Sequence, residues 1–168
     1  MPMKILKAVL AATLAAVVPI SAQTEEAAAS GGVEGILSLE QVVTDFRTDA
    51  NAAEQKYGGN LLTIRGRVGV IAPPQDGVNQ LSVTLQEYEN PTPGVQCLFS
   101  QDAFPANSNV VIGTGGSQAI LEHKDERGFK TGETPFAIVN EQVTIRGSYS
   151  EFDGANLVLQ DCQLIQGE

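Results

Sequence analysis

One four-residue phrase, Thr-Ile-Arg-Gly, occurs twice, at residues 63–66 and 144–147. Each copy lies in a run that alternates apolar and polar residues. In the first, Leu62, Ile64, Gly66, Val68 and Val70 share one face, with Thr63, Arg65 and Arg67 on the other. In the second, Val143, Ile145, Gly147 and Tyr149 oppose Thr144, Arg146 and Ser148. A period of two is the signature of a half-buried strand. A glycine within such a strand marks a bulge or a sharp bend at a barrel corner. Two bent strands in a short all-β stretch predict a mainly β protein built as a small closed barrel.

The 168 residues suffice for one domain with one core. Acidic residues number 20 against 10 basic ones, for a formal net charge of −10. Residues 1–22 read as a secretory signal peptide. Lys4 and Lys7 form the basic start, an apolar core follows that is too short to span a bilayer, Pro19 breaks it, and Ser21-Ala22 precede the expected cut. Loss of the two lysines makes the mature charge about −12. That acidity argues against a nucleic-acid partner, because phosphate backbones are held by Lys and Arg. The expected location is periplasmic or secreted, with no stable membrane insertion once the leader is removed. Residues 23–36, rich in Ala, Glu, Gly and Ser, read as a disordered tether, and residues 37–166 as the folded domain.

The domain opens with Ser38 as a helix N-cap and Gln41 three positions on, a capping box. Leu39, Val42, Val43, Phe46 and Ala50 fall on one helical face. The helix either continues to Tyr57 or restarts near Asn51, and Gly58-Gly59-Asn60 ends it. Strands are predicted over 61–71, 80–87, 95–100, 141–150 and 155–165. Asp76-Gly77 and residues 90–94 supply turns, and Asp153-Gly154 marks a hairpin. In the last strand Leu157 and Leu159 are out of phase with Cys162 and Leu164, which predicts a bulge between them. Residues 101–140 are glycine-rich and charged. Residues 117–127 read either as a short helix, capped by Ser117 and stopped by Gly128, or as a hairpin of 119–123 against 129–131. The helix is preferred because it suits a helix–three strands–crossover–two strands order. That order describes a five-stranded OB-fold barrel preceded by an N-terminal α-helix, with a variable Gly-rich crossover between strands three and four.

The residues also resemble the tRNA_anti-like family of bacterial, often exported, OB-fold proteins. Asn51, Ala52, Ala53, Lys56, Tyr57 and Gly58 match its helix end. Ile64, Gly66 and Val68 match its first strand, and Val95, Cys97 and Phe99 its third. Val143, Ile145, Arg146 and Gly147 match the second hydrophobic-Arg-Gly strand, and Leu159, Asp161 and Cys162 the terminal Leu-x-Asp-Cys. The resemblance covers roughly residues 37–165; between Ser100 and Asn140 this chain carries a longer, charged insertion. The family's barrel sets the third and fifth strands side by side, and export leads to an oxidising compartment, so a Cys97–Cys162 disulfide is expected.

Candidate chemistry is sparse. His123 with Glu122, Asp125 and Glu126 has metal-ligand residue types, but a charged stretch of this kind is ordinarily solvated, and no metal or cofactor is expected. Glu87 and Glu89 face no base or nucleophile. No catalytic set assembles, so the chain reads as a non-catalytic binding or interaction module rather than an enzyme. Arg65, Arg67 and Arg146 would share the outer wall, because the first and fourth strands of such a barrel pair. Three guanidiniums together suit a carboxylate or phosphate; the alternative is that they pair with acids such as Glu141 or Glu151. The face of strands two and three would present Thr84, Gln86 and Gln96, neutral and without rings except Tyr88 at its edge. The expected partner is a small ligand or an envelope protein, with an oligonucleotide as the competing reading.

Overall fold

The computed structural model describes residues 35–74, 80–87, 89–91 and 94–165. The leader, nearly all of the tether, Tyr88 and the Asp76-Gly77 turn lie outside them. The described chain begins with β1 (Ile36–Ser38), whose first residue is the last of the stretch read as tether. Two helices follow, α1 (Leu39–Thr48) and α2 (Ala50–Tyr57). The Ser38 hydroxyl accepts from the Gln41 amide at 3.1 Å, as the capping box predicts. The helix restarts rather than running on. Asp49 is extended, and its carboxylate accepts from the Ala52 amide at 3.0 Å, capping α2.

The barrel strands are β2 (Leu61–Ala72), β3 (Gln80–Gln86), β4 (Gly94–Ser100), β8 (Gln142–Phe152) and β9 (Asn156–Ile165). Their order is β2-β3-β4-β9-β8, closed by pairing of β8 with β2. All neighbours are antiparallel except β4 and β9, which run parallel from Gly94 opposite Asn156 to Cys97 opposite Leu159. β1 lies parallel to β2 outside the ring. One long β2 serves both sides of the closure: residues 61–67 pair with β8, and from Arg67 onward it pairs with β3.

The inward residues are those that the alternation predicts, with one correction. Leu62, Ile64, Gly66 and Val68 face the core, but Val70 is exposed and Ile71 is buried in its place. The cause is a register shift between Val68 and Val70, which reverses the alternation. The bulge expected in β9 is present. Between the pairs Arg146–Gln163 and Ser148–Gln160, β9 spends one residue more than β8, and Asp161 there takes a left-handed φ of 50°.

The interior is closed at both ends by aromatic rings. Where β8 turns into β9, Phe46 of α1 stacks near Phe152 (centroids 4.9 Å apart) and Tyr57 (6.0 Å). Where β4 finishes, Phe99 meets Phe104 and Phe136 at 6.4 and 5.1 Å. Phe136 comes from the segment 101–140, where the helix expected over 117–127 is not found. The chain instead forms a second sheet of β5 (Ser108–Ile112), β6 (Gln118–Lys124) and β7 (Lys130–Ile138), in the order β5-β6-β7. The alternative hairpin reading was thus the right one, and the sheet is larger than it foresaw. Ala119 and Leu121 alternate inward at a strand's spacing, and Phe104 and Phe136 fill the barrel end that a crossover helix would otherwise cover. The β6–β7 turn is held by Asp125, whose carboxylate accepts from the Arg127 and Phe129 amides, each at 2.9 Å.

Candidate functional site

The residues singled out by sequence form one outward wall, continuous across four strands. In the β2–β8 ladder Arg65 lies opposite Thr144 and Arg146 opposite Thr63, so the two arginines are diagonal neighbours. Such diagonal positions are about 7–8 Å apart, within reach of long side chains. Arg67 is two residues along β2 from Arg65, on the same face. It stands where β2 changes partners, opposite Gln142 of β8 on one side and Gln86 of β3 on the other. Beyond it, Thr84 pairs with Gln96 of β4, and the Gln96 amide donates to the Ser82 hydroxyl at 3.0 Å. Gln86 folds over Gly69, whose missing side chain leaves it the space. Thr84, Gln86 and Gln96 are half-buried, while Arg65, Arg67 and Arg146 are exposed.

No acidic group among the described residues forms an ion pair with these arginines. Arg65 Nε donates to the Thr144 hydroxyl at 3.4 Å, a long hydrogen bond and not an ion pair. Among the described residues the ion pairs are Arg47 with Glu87, Lys56 with Asp45, and Lys130 with Glu122 and Glu133. Neither Glu141 nor Glu151 closes on the arginine wall. Beside Arg65 the surface sinks into a pocket of about 310 Å³, lined by Phe136, Glu141, Gln142, Val143, Thr144, Leu164 and Ile165. Sequence reasoning missed this pocket. Its lining joins the ends of β8 and β9 to Phe136 of β7, and the hairpin reading carried that strand only to residue 131, short of Phe136. The outward turn of β2 at Gly69 was signalled by the second glycine of its run, but not read.

The remaining candidates are tied up elsewhere. His123 Nε2 lies 2.9 Å from the Thr134 hydroxyl, and Glu122 is held by Lys130. Among the described residues no group of three His, Cys, Asp or Glu could hold a metal ion. Glu87 is bound by Arg47 at 3.2 Å. Cys97 and Cys162, expected as a disulfide, are both free thiols and fully buried. Burial, and then the Cys162 thiol beside it, push Cys97 well above the ordinary thiol value. No described helix is long and apolar enough to cross a membrane.

A family model described as tRNA_anti-like matches residues 2–163. No curated protein matches the chain. One solved structure that resembles it is a "putative nucleic acid-binding lipoprotein" from Klebsiella pneumoniae subsp. pneumoniae. It is 14% identical, covers 79% of this chain and 92% of its own, and superposes with a TM-score of 0.50. At that identity the likeness is one of fold alone.

Proposed function

The chain belongs to the tRNA_anti-like family, and from that premise we propose that it is an exported OB-fold binding module without catalytic activity, which takes a small anionic ligand on its arginine wall. The supporting observation is how the cations are partnered. In a chain with twice as many acids as bases, Arg47, Lys56 and Lys130 each hold a carboxylate, whereas among the described residues no acid pairs with Arg65, Arg67 or Arg146; Lys124 and Arg127 hold none either, but they stand at the end of β6 and in the turn after it, and only the three arginines are grouped on one wall. Arg65 lies two positions from each of the other two, from Arg67 along β2 and from Arg146 diagonally on β8, while Arg67 and Arg146 are four positions apart on either side of it. Converging guanidiniums bind carboxylate or phosphate well because their donors match the geometry of those groups.

A small ligand fits better than a polymeric one. A long polyanion would feel the repulsion of the whole acidic surface, whereas a small anion feels mainly the charges within a Debye length, about 8–10 Å. The pocket beside Arg65 adds Val143, Leu164, Ile165 and Phe136, which suit an apolar portion next to the anionic group. Export is supported by the leader-like residues 1–22, and the Klebsiella neighbour is itself described as a lipoprotein.

That neighbour's description also favours nucleic acid as a second reading. Against it, the residues described on the β3–β4 face are Ser82, Thr84, Gln86, Gln96 and Leu98, none of them a ring, and the exposed Phe129 is on the β6–β7 turn. Bases bound without sequence preference stack on such rings.

Calorimetry at low salt with octanoate, inorganic phosphate and a single-stranded oligonucleotide as probes tests the proposal. The expected result is saturable binding of octanoate or phosphate, weakened roughly tenfold or more in the Arg65→Ala/Arg146→Ala variant. Both side chains are exposed, so the variant should melt as the parent does. Binding of neither small anion, or tight salt-sensitive binding of the oligonucleotide alone, overturns it.

A further inference from the structure

The pocket beside Arg65 carries charges of both signs. Arg65 is its cation, and Glu141 is the one acid among its described lining residues. Both side chains are exposed. Among the described residues neither forms an ion pair, with the other or with a third group. The backbone keeps them apart. Thr144, which lies opposite Arg65, is three residues beyond Glu141, about 10 Å along an extended chain. Glu141 is also pinned where it stands. Its amide donates to the Ile138 carbonyl at 3.1 Å, and its carbonyl accepts from the Val68 amide at 2.9 Å. Just before it, the Asn140 amide donates to the Val68 carbonyl at 2.8 Å, with Asn140 at a left-handed φ of 72°. The pocket thus holds a positive and a negative pole that cannot simply cancel, together with the apolar groups of Phe136, Val143, Leu164 and Ile165.

The pocket also meets an open strand edge. β8 pairs with β2 from Gln142 onward, but with β9 only from Thr144 onward. On the β9 side no described strand lies against Gln142 and Val143, and both line the pocket. An extended segment can add to such an edge through its own backbone hydrogen bonds. Net charge points the same way. The excess of acids over bases repels any anion, but a ligand with one charge of each sign carries no net charge and escapes that repulsion.

We propose that the ligand of this site is a short apolar peptide with both termini free. The assignment rests on the anion reading above, whose carboxylate becomes the C-terminus of the peptide. That carboxylate meets Arg65, with Arg146 as its diagonal neighbour. The N-terminal ammonium meets Glu141. The backbone between them runs along the edge at Gln142 and Val143, and the side chains rest on Phe136, Leu164 and Ile165. An extended peptide advances by about 3.3–3.5 Å per residue, so a tripeptide matches the spacing of the two poles. A fatty acid satisfies only the cation and the apolar groups, and a free phosphate only the cation.

The test is calorimetry at low salt and about pH 6.5, where a peptide amine is protonated, with the tripeptide Leu-Gly-Leu and its N-acetylated form as probes. Acetylation keeps the carboxylate and removes the ammonium. The free peptide is expected to bind about fivefold or more tightly than the acetylated one, and to lose that advantage as pH rises past about 8. Glu141→Gln should abolish the preference, whereas Glu151→Gln, which removes the same charge from farther along β8, should retain it. Glu141 is exposed, so its variant should melt as the parent does. Equal or tighter binding of the acetylated peptide to the parent overturns the peptide assignment and leaves the anion reading standing. So does binding of octanoate or phosphate when neither peptide binds. A preference that survives Glu141→Gln also overturns the assignment. Failure of both peptides, octanoate and phosphate together removes the anion reading as well.

Discussion

Neither of the repeated glycines, Gly66 or Gly147, is needed for a left-handed backbone, since neither has a positive φ. Each is needed because something approaches too closely for a side chain. At Gly66 a β-carbon would meet Leu39 Cβ and two Leu85 side-chain atoms at 3.2 Å, where β2 passes beneath the start of α1. At Gly147 it would press on the Cys162 sulfur. Gly132 in β7 is the contrasting case, with nothing within 4 Å of such a carbon and no positive φ. Gly147→Ala is expected to lower stability by about 1–3 kcal/mol through overpacking, while Gly132→Ala leaves it unchanged or slightly raised. Urea denaturation of the two variants checks this, and equal midpoints would remove crowding as the reason for Gly147.

At the scale of elements, the two helices are fastened by one carboxylate. Asp45 of α1 accepts from Lys56 Nζ at 2.7 Å and from the Tyr57 hydroxyl at 2.6 Å, both of α2. The bond from Lys56, and then that from Tyr57, hold the Asp45 carboxyl below its ordinary value of 3.8. A carboxyl with a lowered folded-state pKa stabilises the fold when ionised. Its contribution is complete above the unfolded value and disappears as pH falls through the lowered one. Asp45→Asn should therefore be less stable than the parent at neutral pH, with the gap closing below pH 3.8. The effect is modest because the pair is largely solvated. Urea midpoints of parent and variant across the acid range measure it, and a gap that persists at the acid end would show that the cost is not electrostatic.

At the scale of the whole molecule, the barrel is a ring of five strands with different closures at its two ends. The N-terminal helices supply Phe46 to one end, and the accessory sheet supplies Phe136 to the other. The arginine wall lies on the outside between them, a local concentration of positive charge on an acidic protein. That acidity increases if residues 1–22 are removed, and we propose that they are: the protein recovered from outside the cytoplasm should have a mass lacking them, with Lys4 and Lys7 gone. An intact Met1 in that material would refute the proposed leader.

The sequence alone determined the strands of the barrel, the Ser38 cap, the Asp153-Gly154 hairpin and the bulge before Cys162. Each is encoded locally, in a period of two, in a capping residue, or in a phase slip within a single strand. The Asp153 carboxylate accepts from the Ala155 and Asn156 amides at 2.7 and 2.6 Å, all within four residues. The tertiary structure alone decided the rest. Residues 117–127 read either as a helix or as part of a hairpin, and 118–124 of them became β6 because β5 and β7 offered ladders on both sides and the barrel end offered burial. Val70 turned outward because β3 set the register across Gly69. Arg65, Arg67, Arg146 and Gln86 became one wall because β2 pairs first with β8 and then with β3. Their sequence separations carry no trace of that pairing, since a strand specifies which way its side chains alternate but not which neighbour it will meet.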